Sequence, residues 1–207
     1  MDPATGLIRF AKRYPRRGKI NMTTGRFGRG MQQIQFESWS SDTVLAFGRQ
    51  MICFSSDARH IEAHDRNTGE LIWQSDVYPL EARVDYLLGV CNGLLYAAGP
   101  ETILAFDLQQ EGRMVWGGRR LFGGKLSYGR GMLTPDGIYV PVDDSICKYS
   151  LTGRNGQAVM LGKVNVDLGT GAPVGNLYSD GQKIWVHGGN RIYALARGQR
   201  SRNADSD

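Results

Sequence analysis

The chain has 207 residues, of which 41% are hydrophobic, 22% charged and 10% aromatic, a globular composition that excludes a wholly disordered or collagen-like chain and suits one domain or slightly more. Its 28 glycines are nearly twice the usual share of about 7%, and prolines number only 7, so the excess predicts sharp turns between short strands rather than a flexible linker. The net charge of +5 is uneven: residues 1 to 30 hold eight Lys/Arg against Asp2 alone, a net +7, which leaves −2 for the remainder. The body of the protein is therefore not a basic surface of the kind that binds nucleic acid. No window approaches the roughly 18 apolar residues of a membrane-spanning helix. Met1 to Phe10 has neither the apolar core nor the cleavage site of a signal peptide.

One phrase recurs: His60-Ile61-Glu62-Ala63-His64-Asp65, Thr102-Ile103-Leu104-Ala105-Phe106-Asp107, Ser145-Ile146-Cys147-Lys148-Tyr149-Ser150 and Arg191-Ile192-Tyr193-Ala194-Leu195-Ala196. Its isoleucines are spaced by 42, 43 and 46 residues, close to the 40 to 45 residues of a four-stranded propeller blade and too long for leucine-rich or tetratricopeptide repeats.

In chain order, Asp2, Thr5-Gly6 and Phe10 match the turn and fourth strand after Asp65, so residues 1–39 are predicted to hold the last strand of a preceding blade and a basic, Gly-rich loop. That loop, Arg9 to Arg29 with Tyr14 and Phe27, has the charge of an RNA-binding or anionic-lipid arm. Pro15, Gly18 and Gly25 break it up, and a solvated linker is the preferred reading; nucleic acid is not an expected partner.

Blades are predicted over about 40–77, 84–118, 127–162 and, in part, 173–196. Their first strands lie at Thr43 to Phe47, Tyr86 to Cys91, Gly131 to Thr134 and Asn176 to Ser179, and their second strands at Met51 to Phe54, Leu94 to Ala97, Ile138 to Val140 and Lys183 to Val186. The recurring phrase is the third strand, with Ile61, Ile103, Ile146 and Ile192 in equivalent places. Fourth strands end in an aromatic residue, Leu71-Ile72-Trp73 and Met114-Val115-Trp116. Leu80, Val84, Leu87 and Leu88 also fit helical spacing, against which Gly89 and Gly93 count. Residues 197–207 are polar and mixed in sign, as in a disordered tail.

In the turn after each third strand, Asp65 is placed to accept hydrogen bonds from backbone two residues on, and Gly69 to take a positive φ. Asp107 with Gly112, and Ser150 with Gly153, repeat the pattern. Trp73 and Trp116 are expected to wedge between neighbouring sheets, facing the small Ala63 and Ala105.

Asp65-Arg66-Asn67-Thr68-Gly69-Glu70-Leu71-Ile72-Trp73, following Ile61-Glu62-Ala63-His64, resembles the aspartate, threonine-glycine and tryptophan signature of pyrroloquinoline-quinone-like (quinoprotein alcohol dehydrogenase-like) propeller repeats. The resemblance covers residues 43 to 196. Its structural signature is Asp65, Thr68, Gly69, Trp73, Asp107, Gly112, Trp116 and Gly153. In the third repeat Ser150 stands for the aspartate and the tryptophan is missing. Gly129 to Pro141 and Pro173 to Leu177 also resemble large planctomycete-type envelope proteins built of these repeats, which implies the periplasm or cell envelope.

A quinoprotein enzyme would, by that resemblance, need vicinal cysteines over the cofactor, a calcium-binding carboxylate and amide set, and a catalytic aspartate; none can be placed. Cys53, Cys91 and Cys147 lie far apart in apolar runs, without metal spacing, and read as buried core. A closed ring of seven or eight blades would need roughly 300 residues or more. His60 and His64, on one strand, would be some 13 Å apart along it at about 3.3 Å per residue, poor geometry for a metal. The sequence thus predicts an all-β propeller arc of about four blades that acts as a protein-interaction scaffold with no expected cofactor, its open edges free for self-association. A fragment of a quinone-dependent dehydrogenase, binding pyrroloquinoline quinone with calcium, is the alternative.

Overall fold

The computed structural model describes residues 44–54, 60–77, 84–118, 120–166, 168, 173–189 and 191–195. The predicted N-terminal strand, the basic loop and the C-terminal tail lie outside them, as does any pairing of residues 7 to 10 with residues 191 to 195. Four antiparallel sheets follow one another along the chain. The first is β1 (Leu45–Phe47), β2 (Gln50–Phe54), β3 (His60–Asp65) and β4 (Leu71–Asp76); the second is β5 (Tyr86–Cys91), β6 (Leu94–Ala98), β7 (Ile103–Asp107) and β8 (Arg113–Gly118). The third is β9 (Met132–Thr134), β10 (Gly137–Val142), β11 (Ser145–Tyr149) and β12 (Met160–Asn165); the fourth has three described strands, β13 (Leu177–Ser179), β14 (Ile184–Gly188) and β15 (Arg191–Leu195). In every sheet spatial order equals chain order, because each turn is short enough to join antiparallel neighbours directly.

Ile61, Ile103, Ile146 and Ile192 occupy the third strand of their sheets, as the repeat predicts. The first three sit opposite Ser75, Gly118 and Val164 of the fourth strands. Each of these third-to-fourth pairings carries a bulge at the same step, Ala63/His64, Ala105/Phe106 and Lys148/Tyr149, which bends the outer strand and increases its twist.

Side chains alternate between the two faces of a sheet, and the sequence places apolar residues on both. Ile52, Ile61, Ala63 and Trp73 of the first sheet pack with Leu87, Leu95, Leu104 and Phe106 of the second. Tyr96, Ile103, Ala105 and Trp116 of the second pack with Ile138, Val140, Cys147 and Tyr149 of the third. Ile146 of the third joins Leu177, Val186, Tyr193 and Leu195 of the fourth. The core is therefore three layers, one in each gap between successive sheets.

Several expectations need correction. Trp73 and Trp116 do not end their strands, which run on to Asp76 and Gly118, because the pairing with β3 and β7 continues past the bulge. The outer strand of the third sheet reaches Asn165 rather than 162. The strand expected at Tyr86 to Cys91, rather than the competing helical spacing, is what forms: β5 spans Tyr86–Cys91, where pairing with β6 satisfies the backbone. Of the cysteines only Cys147 is buried; Cys53 and Cys91 are half-buried, each at or next to the end of its strand.

Candidate functional site

The signature residues gather at the turns between third and fourth strands. Asp65 Oδ1 accepts the amide hydrogens of Asn67 and Thr68 at 2.8 and 3.1 Å, and Oδ2 accepts from Arg49 Nε. Two backbone donors, with the guanidinium beside them, hold the Asp65 carboxyl below the usual carboxylate range. The Gly69 amide closes the turn onto the Asp65 carbonyl at 2.8 Å, while Thr68 Oγ1 accepts from the Glu70 amide at 3.3 Å.

Asp107 repeats the arrangement, accepting from the Gln109 amide at 2.8 Å and capping the short 3-10 turn Leu108–Gln110. In the third sheet the shorter Ser150 accepts from the Thr152 amide at 3.1 Å. A hydroxyl oxygen thus fills the aspartate's role one residue type down.

The tryptophans cross the gap between sheets. Trp73 lies opposite Ala63 in its own sheet and projects onto the turn glycine of the next, so a Cβ added at Gly112 would come within 2.5 Å of its Cε3. Trp116, opposite Ala105, does the same to Gly153, where an added Cβ would lie 2.5 Å from Cγ. Gly69 and Gly112 have φ of +78° and +71° and satisfy the predicted need for a left-handed turn. Gly153 does not fall in that region; it is required for room. The sequence signals the alternation of these two residue types at the repeat period, but not the contact between one repeat's tryptophan and the next repeat's glycine.

Hydrogen bonds tie the sheets further. Tyr96 Oη donates to the Leu151 carbonyl at 2.9 Å, and burial pushes the Tyr96 hydroxyl up to about 12. Arg130 spans three sheets: its amide donates to Asn176 Oδ1 at 2.7 Å and its Nη2 to the Leu87 carbonyl at 2.9 Å.

A polar cluster stands on the face of β3 turned away from the second sheet. His60 Nε2 and His64 Nε2 each lie 2.8 Å from the Glu62 carboxyl between them, with Glu62 and His64 buried. His64 Nδ1 is 3.1 Å from the Gly69 carbonyl, which can only accept, so that nitrogen carries a hydrogen. The contact of Nε2 with Glu62 then requires a further proton, on the imidazole or on the carboxyl. Among the described residues no group of three or more His, Cys, Asp or Glu is arranged to hold a metal ion, and no described helix is long and apolar enough to cross a membrane.

No protein-family model and no curated protein matches the chain. Among solved structures it is similar to the WD40 domain of Neurospora crassa Pan2, with a TM-score of 0.50 and 12% identity over 70% of this chain and 40% of that one. A looser likeness, TM-score 0.45 and 18% identity over 59% of this chain and 24% of the other, is to a europium-containing methanol dehydrogenase. The chain thus spans under half the length of either. Successive antiparallel sheets, three of four strands and one of three described strands, a core layer in each gap and the likeness to a WD40 domain make the fold that of a β-propeller.

Proposed function

We infer that the chain is a non-catalytic propeller segment that serves as a protein-interaction scaffold within a larger, envelope-associated protein. The observation that supports this most directly is how the signature residues are used. The carboxylates of Asp65 and Asp107 accept backbone amides of their own turns, and the rings of Trp73 and Trp116 fill the gaps over Gly112 and Gly153. Their chemistry goes into building a rigid frame, and a rigid frame with an exposed outer strand is a binding platform. Envelope association rests on the resemblance of residues 129–141 and 173–177 to envelope proteins of the same repeats.

A fragment of a quinone-dependent dehydrogenase is the second reading, favoured by the signature of residues 65–73. Titration of the chain with pyrroloquinoline quinone and calcium ions, followed by the absorbance of the cofactor, separates the two. The scaffold reading expects no saturable spectral change; stoichiometric, saturable binding overturns it.

A further inference from the structure

We propose that Asn155-Gly156, in the exposed turn that ties the third sheet to the second, is a site of spontaneous covalent modification, where the asparagine is converted through a succinimide to isoaspartate and aspartate. This goes beyond the scaffold reading and does not depend on it.

Asparagine is thermolabile because the following backbone nitrogen can displace its carboxamide nitrogen. Cyclisation needs a side chain free to swing over that nitrogen and a next residue without a Cβ to obstruct the approach. The chain contains two Asn-Gly pairs, Asn92-Gly93 and Asn155-Gly156, and two Asp-Gly pairs, Asp136-Gly137 and Asp180-Gly181. The aspartates are held. Asp136 accepts from Thr134 Oγ1, Lys148 Nζ and Tyr139 Oη at 2.5, 2.6 and 3.1 Å. Asp180 accepts the amides of Gln182 and Lys183 at 2.9 and 2.8 Å and Trp185 Nε1 at 3.2 Å, and the Gly181 amide donates to Ser179 Oγ at 3.0 Å.

Both asparagines are exposed, and their backbones are nearly the same. The φ angles are +51° and +75° across Asn92-Gly93 and +52° and +73° across Asn155-Gly156, the left-handed pair of a two-residue hairpin turn. What differs is how each turn is closed. Asn92 joins β5 to β6, which are paired from Cys91 and Leu94 through to Tyr86 and Ala98, so any departure of its backbone strains that ladder. The turn of Asn155 is closed by one isolated bridge, in which Arg154 and Gln157 exchange amide hydrogens at 2.9 and 3.0 Å. The Gly156 amide takes no part in that exchange. Such a bridge opens without unzipping a sheet, and the fold thereby selects Asn155.

In the opened turn the Gly156 nitrogen attacks Asn155 Cγ as its proton passes to water; the Cγ–Nδ2 bond breaks and ammonia leaves. Water then opens the cyclic imide. Cleavage between Cγ and the nitrogen gives aspartate, and cleavage between the backbone carbonyl carbon and the nitrogen gives isoaspartate, whose main chain is longer by one carbon. Overall one water is consumed and one ammonia released, with no oxidation or reduction. The Gly117 amide of the second sheet donates to the Gly156 carbonyl at 3.1 Å, and Gly153, packed under Trp116, begins the same turn. An extra main-chain carbon displaces these contacts, so the modification loosens the joint between the two sheets.

The test incubates the full chain for weeks at mildly alkaline pH, native and urea-unfolded in parallel. Peptides holding Asn92 and Asn155 are quantified by mass spectrometry with fragmentation that separates isoaspartate from aspartate. With each native rate referred to its own value in urea, Asn155 is expected to convert at least tenfold faster than Asn92, isoaspartate in excess. The Gly117 amide of the converted fraction is expected to lose hydrogen-exchange protection. Conversion of Asn92 level with or ahead of Asn155, an intact native Asn155 after the unfolded chain has reacted, or unchanged Gly117 protection would each overturn the proposal.

Discussion

Trp116 and Gly153 form a side-chain-to-backbone joint between the second and third sheets: the indole covers the turn so closely that a methyl group at residue 153 would lie 2.5 Å from Cγ and 2.7 Å from Cβ of the tryptophan. The stability of the layer between these sheets depends on both partners, and they are coupled.

Trp116→Ala is expected to cost about 3 to 5 kcal/mol, as large aromatic truncations in cores do, and Gly153→Ala about 1 to 3 kcal/mol through overpacking. The double variant should cost less than the sum, by about 0.5 to 3 kcal/mol, because the smaller side chain at 116 vacates the space that the methyl group added at 153 needs. Denaturant melts of the four proteins check this; strict additivity would refute the contact.

Gly112→Ala should be the more damaging of the two turn substitutions. It meets the Trp73 ring as Gly153→Ala meets Trp116, and it adds the left-handed backbone strain of φ +71°, about 1 to 2 kcal/mol for a residue with a Cβ. Thermal melts of the two variants side by side give the order.

The two tryptophans should respond differently to phenylalanine. Trp73 Nε1 donates to Gln50 Oε1 at 3.0 Å, whereas Trp116 Nε1 is buried without a described acceptor. Removing the second donor relieves a desolvation penalty of about 1 to 3 kcal/mol, so Trp116→Phe is expected to destabilise less than Trp73→Phe. An equal or opposite order in urea melts would count against the assignment.

Asp65 makes the turn sensitive to acid. Its folded carboxyl is held below the ordinary 3.8, first by the Asn67 and Thr68 amides, so the folded state binds the proton less readily than the unfolded chain. The resulting stability is present above the unfolded value and is lost as pH falls through the lowered folded value. The gap in stability between wild type and Asp65→Asn should therefore be widest near neutral pH and shrink towards pH 3, measured by urea melts across that range.

The basic segment of residues 9–29 is expected to bind nucleic acid weakly or not at all at physiological salt, since a Gly-rich stretch lacks a supporting charged surface. Micromolar filter binding that survives 200 mM salt would reverse this.

Much of the framework was legible because it is local. Apolar residues on both faces around Ile103 to Phe106, and the alternation of Ile61 and Ala63 with Glu62 and His64, specify strands, and Asp65 with Gly69 and Asp107 with Gly112 act within a few residues of one another. The tryptophan-to-glycine joints were not legible as contacts, since Trp73 and Gly112, or Trp116 and Gly153, are separated by 39 and 37 residues and meet only once two sheets have stacked. The same is true of Gly153, where a rule about backbone angle suggested the right residue for the wrong reason. His60 and His64 were expected to stand apart along their strand; side chains reaching to Glu62 from either side bring them into one network.

The Glu62 and His64 network also gives the molecule a direction. Every internal joint sets the isoleucine face of one third strand against an apolar or aromatic pair on the next: Leu104 and Phe106, then Cys147 and Tyr149, then Tyr193 and Leu195. The corresponding pair on the first described sheet is Glu62 and His64, in contact with each other and buried at 4% and 3% exposure. Where the three gaps between sheets are closed by apolar side chains, this face is closed by groups that must each find a partner once out of water, so the two ends of the described series are chemically unlike.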